Sequence, residues 1–153
     1  MTSTIVRFSV LLILALVPAC TRSADAPKAA GLTGQYTIVS GERNGSAIDP
    51  QELDQATITI AEHTITAYDK ERKETYAATY KLETHRTPWE ITMTSTKAPE
   101  TGVVAKGLIQ AEPERVTLIY ALPNGQPPTE FKAGPQQQMF VLAKTGPAQR
   151  GQG

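Results

Sequence analysis

The chain predicts an all-β domain, either a sandwich or a closed barrel, and three observations carry that expectation. Between about Leu32 and Lys144, apolar and polar residues alternate with period 2 in a series of short runs rich in Thr, Ile, Val and Tyr. Turn-forming residues separate those runs at a spacing of roughly 8–12 residues, as in β-sandwiches and barrels. Helical periodicity is scarce. With 153 residues, length alone argues for one domain.

The elements follow in order. Tyr36-Thr37-Ile38-Val39-Ser40 opens the series and Asn44-Gly45 closes it with a turn that needs positive φ. Asp49 before Pro50 to Gln55 predicts one N-capped helical turn. Ala56 to Ile60 and Thr64 to Tyr68 form the next strands, joined by Ala61-Glu62-His63. Their Ile and Thr residues alternate, which suits a sheet with one buried and one wet face. Glu74 to Leu82, Trp89 to Thr94, Val103 to Gln110, Arg115 to Leu122 and Gln138 to Lys144 bring the total to eight. The mixed-charge run Asp69 to Glu74 is a solvated hairpin tip. Pro123 to Gln137 holds four prolines and two glycines and predicts an extended, irregular loop. The expected apolar face is Ile38, Ile58, Ile60, Ile65, Leu82, Trp89, Ile91, Leu108, Leu118, Tyr120, Phe140 and Leu142. That bulk favours a small cavity or none.

The first residues are a different material. Met1 to Arg7 carries one positive charge, and the apolar run Phe8 to Val17 covers about half of what a membrane span needs. With small residues before Cys20, residues 1–19 read as a secretory signal peptide. Val17-Pro18-Ala19-Cys20 resembles the lipobox of bacterial lipoproteins, although Pro18 is unusual in its place. That resemblance implies cleavage before Cys20 and diacylglycerol on its sulfur, with a further acyl chain on the new amino group. Two or more chains give stable anchoring, each buried CH₂ contributing about 0.8 kcal/mol. Cys20 is the sole cysteine, so the exported domain has no internal disulfide and depends on its core. Residues 20–31 then form the lipidated cysteine and a flexible tether, 32–144 the β-domain and 145–153 a disordered tail. The expected location is the cell envelope. Thr21, in place of an inner-membrane retention aspartate, points to the outer membrane.

Composition excludes several functions. The formal net charge is zero and aromatics make up 6%, which removes the basic footprint and stacking platforms of a nucleic-acid binder. His63 and His85 fall at separate turns with no third ligand in pattern, so no metal site is expected. Ser23, Ser40, Ser46 and Ser95 lie in no nucleophile elbow, the carboxylates are scattered, and no phosphate loop is present. The expectation is a non-enzyme without cofactor. Asn44-Gly45-Ser46 matches a glycosylation sequon but reads as a turn. Tyr36 and Trp89 are the candidate ligand contacts, with core packing as their alternative role.

Leu32-Thr33-Gly34-Gln35-Tyr36 with its aliphatic strand and Asn44-Gly45 resembles the opening of an uncharacterised lipocalin-like domain family abundant in planctomycete bacteria. Tyr80-Lys81-Leu82 with Pro88-Trp89-Glu90-Ile91, Gly107-Leu108-Ile109, Pro128-Thr129-Glu130-Phe131 and Val141-Leu142-Ala143-Lys144 resemble its later motifs, in order. Tyr36 stands where that family usually has Trp, and Pro127 where it usually has Arg. The resemblance implies a small antiparallel up-and-down barrel of about eight strands, lipocalin-like, with at most one short helix. In such a barrel Gly34 lets the chain enter its first strand closely, and Tyr36 plugs the closed end. An interior of this size is filled by side chains or holds one small ligand. Two roles follow. One is a binding module for a small apolar ligand or a peptide at the envelope. The other is a filled barrel that offers only its surface, including the loop from Pro123 to Pro135, to an envelope protein.

Overall fold

The computed structural model describes residues 31–147. The expected signal peptide (residues 1–19), Cys20 and the expected tether up to residue 30 lie outside the described residues, as do residues 148–153. The described chain forms β1 (Gly34–Arg43), β2 (Ser46–Ala47), α1 (Pro50–Leu53), β3 (Thr57–Ile60), β4 (Thr64–Tyr68), β5 (Glu74–Glu83), β6 (Trp89–Ser95), β7 (Val104–Ala111), β8 (Arg115–Ala121) and β9 (Gln137–Gly146). Each strand from β3 to β9 pairs antiparallel with the next, β1 pairs with β3, and β9 returns to β1. The result is a closed up-and-down barrel of eight strands, with β2 as a short ninth on the flank of β1. Closure leaves no long unpaired edge. All the barrel pairings and the core lie within this span, so it is a folding unit by itself.

Local sequence explains the joints. Asn44 and Gly45 take φ of 54° and 81°, the left-handed pair that a two-residue hairpin between β1 and β2 requires. The Asp49 carboxylate accepts from the Gln51 N–H at 2.8 Å and starts α1. Asp69 caps the β4–β5 tip, its carboxylate accepting from the N–H groups of Glu71 and Lys73 at 2.9 Å each.

Two strands, β1 and β9, outrun the sequence expectation by two or more residues at an end. β1 runs to Arg43 because its polar end still finds partners in β9, from Ser40 opposite Val141 to Arg43 opposite Gln138. β9 runs past Lys144, since Gly146 pairs with Gln35 and the Thr145 hydroxyl donates to the Gln35 carbonyl at 3.1 Å. Thr145 and Gly146 are therefore strand rather than tail.

The main core fills one end of the barrel. Leu32, Tyr36, Ile60, Ile91, Ile109, Val116 and Leu142 are all within 1% of full burial there. Tyr36 is the plug: its hydroxyl donates to the Leu32 carbonyl at 2.6 Å. Tyr80 closes the same region by donating to the Ala61 carbonyl at 2.8 Å. Every residue of the expected apolar face belongs to this core or packs on it, except Leu108.

Leu108 faces outward. Ala105, Gly107 and Ile109 hold the inward register of β7, and a glycine in that register hides the alternation. Gly107 is required by close approach, because a Cβ there would run into the Ile119 carbonyl oxygen and come within 2.9 Å of Tyr120. Leu108 and Ile119 instead form a second cluster on the outside, covered by Ala133 and flanked by Phe131 and Met139. The proline-rich loop is thus a strap laid against the sheet, not a free projection. The Glu42 carboxylate accepts from the Ala133 N–H at 3.1 Å, and the Asn44 side-chain oxygen accepts from the Gln136 N–H at 2.9 Å. The Gln137 side chain ties the strap to itself, accepting from Gly134 and donating to Gln126.

Candidate functional site

The barrel is filled at one end and hollow at the other. Ile58, Ile65, Met93 and Leu118 form the floor of a cavity of about 610 Å³. Its walls are Ile38, Ala67, Tyr76, Ser95, Ala105, Tyr120, Gln138 and Phe140. This volume lies within the range of sites that enclose small molecules.

Strand length and side-chain size together open it. β3 and β4 are four and five residues long, whereas β1, β5 and β9 have ten, so the wall is low on one side. The segment between β2 and β3, with α1, forms that part of the rim and places Gln51, Glu52, Leu53 and Asp54 at the mouth. Inside, β4 to β7 carry Ala67, Ala78, Ser95, Ala105 and Gly107 in inward register, where a filled barrel would carry large residues. The sequence expectation of little or no cavity counted only the bulky members of the inward face. The small residues interleaved with them make the space.

The polar groups fall into two tiers. At the rim stand Arg43, Lys70, Glu52, Asp54, Asp69 and Glu100, all exposed except Asp69, with acidic side chains in excess. Arg43 and Glu52 approach to 3.7 Å as a solvent-exposed pair. Deeper in the cavity, the polar groups are the Tyr76 and Tyr120 hydroxyls, the Gln138 amide and Ser95. The Ser95 hydroxyl is satisfied by the carbonyls of Ala77 and Lys97, each at 3.4 Å. Gln138 is only 7% exposed, and its side chain has no hydrogen-bond partner among the described residues. The same holds for the hydroxyls of Tyr76 and Tyr120, which open onto the cavity instead. Burial, reinforced by the Glu100 carboxylate, holds the Tyr76 phenol above its ordinary pKa of 10.0. Burial raises Tyr120 further, helped by Tyr76 and Glu100 and partly opposed by Arg43. Both are neutral hydroxyls at physiological pH.

The sequence-derived candidates lie at the opposite end. Tyr36 is 1% exposed, lines no part of this cavity, and is pushed up to a pKa of about 12 by burial and by Tyr80. Trp89 is half-buried across from Ile109 and borders a separate groove of about 480 Å³, with Pro88, Ala111, Pro113 and Lys144. The structure therefore brings neither to the large cavity. Tyr120 and Phe140 were legible as inward residues, whereas Tyr76, Met93 and Gln138 were missed. The available signal was register: Tyr76 lies two residues before Ala78 and four before Tyr80, and Gln138 lies two before Phe140.

His63 and His85 are exposed at turns, and no group of three His, Cys, Asp or Glu residues is placed to hold a metal ion among the described residues. No described helix is long and apolar enough to cross a membrane. Comparison with protein families, curated proteins and solved structures finds no significant match to this chain.

Proposed function

We propose that this chain is an exported, lipid-anchored envelope protein whose barrel binds a small, mainly apolar molecule. The cavity of about 610 Å³ carries that reading, because its walls are mainly apolar and three of its four inner polar groups, Tyr76, Tyr120 and Gln138, have no side-chain partner among the described residues. A filled barrel acting only through its surface would have no reason to leave such a volume open, since empty space forfeits packing contacts. The lining contains no histidine or cysteine, and its inner polar groups are neutral, which favours a binder over a catalyst. The lipobox-like Val17 to Cys20 supports the anchor, the planctomycete lipocalin-like resemblance supports the barrel, and Thr21 after Cys20 favours the outer membrane over the inner. Gly31, whose carbonyl accepts from the Lys144 ammonium at 3.4 Å, lies at the filled end, opposite the mouth.

The test is uptake of the neutral apolar dye N-phenyl-1-naphthylamine by the chain from Thr21 to Gly153, with native mass spectrometry of the same preparation. A saturable one-to-one fluorescence rise is expected, lost in Ala105→Phe, which fills the cavity from the β7 wall. A folded wild-type chain that takes up no dye and carries no co-purifying molecule would overturn the reading and shift attention to the outer surface.

A further inference from the structure

The inner wall of the cavity carries an amide with no hydrogen-bond partner among the described residues, and its chemistry narrows the ligand. Gln138 stands directly across from Tyr120 in the β8–β9 ladder, and the next inward pair toward the floor is Leu118 with Phe140. Polar groups therefore form one layer, with an apolar layer beneath it. We infer that the ligand is an uncharged lipophile bearing one hydrogen-bonding oxygen (a hydroxyl, ketone, ester or amide), with its apolar body on the floor and that oxygen against Gln138 and Tyr120. The inference rests on the binding reading above and deepens it.

Three arguments support it. Gln138 is 7% exposed and has no hydrogen-bond partner among the described residues, yet no described side-chain polar atom is both fully buried and unbonded, so its amide faces the cavity space. A purely apolar ligand pressed against it would leave it unsatisfied, whereas a polar oxygen would not. The Gln amide both donates and accepts, and a phenol does the same, so either sort of neutral oxygen finds a complementary partner. The phenols stay protonated because burial raises them. Charge argues in the same direction. The one cation beside the polar layer is Arg43, opposite Gln138 in the β1–β9 ladder, but it is about half exposed and paired with Glu52 at 3.7 Å, and the rim sets Glu52, Asp54, Asp69 and Glu100 against Arg43 and Lys70. An anion would be desolvated against a cation already shared with Glu52 and would meet net repulsion from the acidic excess at the mouth. An ammonium head would find no inner carboxylate and gains only screened attraction at the rim. A site built around a hydrogen bond discriminates against ligands that leave its polar group unpaired.

A matched twelve-carbon series tests this by displacement of N-phenyl-1-naphthylamine from the chain from Thr21 to Gly153, at pH 7.5 and below micellar concentrations. 1-Dodecanol and 2-dodecanone are expected to bind roughly tenfold or more tightly than dodecane, dodecanoate or dodecylammonium, one tenfold step being about 1.4 kcal/mol. Gln138→Leu should erase the advantage over dodecane while leaving dodecane itself unchanged, which also reports that the barrel is intact. Gln138→Glu should turn the preference toward dodecylammonium. Equal affinity across the series, tighter binding of the carboxylate or the ammonium, or an alcohol-to-dodecane ratio unmoved by Gln138→Leu overturns the head-group assignment while leaving the cavity a binding site. Failure of the dye and every hydrocarbon to bind overturns both readings.

Discussion

Removing one oxygen atom at the filled end separates structural from ligand-binding roles for Tyr36. In Tyr36→Phe the ring remains, but the Leu32 carbonyl, buried with it, loses the donor held at 2.6 Å. A buried hydrogen bond between neutral groups contributes about 1–2 kcal/mol once the unsatisfied partner is included. The variant should be less stable by that amount from pH 7 to 9. The same burial that makes the bond valuable also makes ionisation unfavourable. The Tyr36 pKa rises from 10.0 to about 12 in the folded protein, so above pH 10 the unfolded chain loses its proton more readily. The neutral phenol's stabilisation is whole below pH 10 and is lost as pH climbs toward 12. Each pH unit in that window removes about 1.4 kcal/mol through Tyr36 from the wild type alone, while losses through Tyr76, Tyr80 and Tyr120, also raised by burial, are common to both proteins and cancel in the difference. The difference between the two proteins should therefore shrink to near zero at about pH 11. Urea unfolding followed by circular dichroism at pH 7, 9, 10 and 11 measures it. A stability gap that stays constant through pH 11 would refute the assignment of Tyr36 as a buried, neutral plug. Dye uptake should be unchanged in the variant at neutral pH, since Tyr36 does not line the cavity.

Two further outcomes follow from the packing. Gly107→Ala forces a Cβ against the Ile119 carbonyl and the Tyr120 backbone, so β7 and β8 must part; a loss of about 1–3 kcal/mol is expected, and a thermal melt matching wild type would contradict it. Phe131→Ala strips part of the strap's apolar cover from Leu108 and Ile119. A loss of about 1–2 kcal/mol and faster proteolysis between residues 123 and 136 are expected, with dye uptake intact because the strap lies on the outer face; protease resistance equal to wild type would show that Phe131 does not hold the strap.

Much of the barrel is legible in the residues because its signals are local. The alternation from Ala56 to Ile60 and from Thr64 to Tyr68, the Asn44-Gly45 turn and the Asp49 cap each act within a few residues, and each appears where the sequence puts it. Signals failed where a partner far along the chain decides. Gly41 to Arg43 has little strand character of its own and is strand because β9 lies beside it. Leu108 was assigned to the wrong face because Gly107 carries no side chain to mark the inward register. The candidate site suffered most. Tyr36 and Trp89 stand out as aromatics, but the cavity depends on Ala67, Ala105, Ser95 and Gln138, residues that attract notice only once their neighbours across the barrel are known.

The sequence by itself determined the class of fold, the approximate run of strands and the turns, because hydrophobic period and turn chemistry are properties of contiguous residues. Only the tertiary structure decided that the barrel is hollow, at which end, and which polar groups face the space. Volume is left over when side chains from eight strands fail to meet, and that shortfall depends on pairing register and strand length around the whole barrel, with no single stretch of chain encoding it.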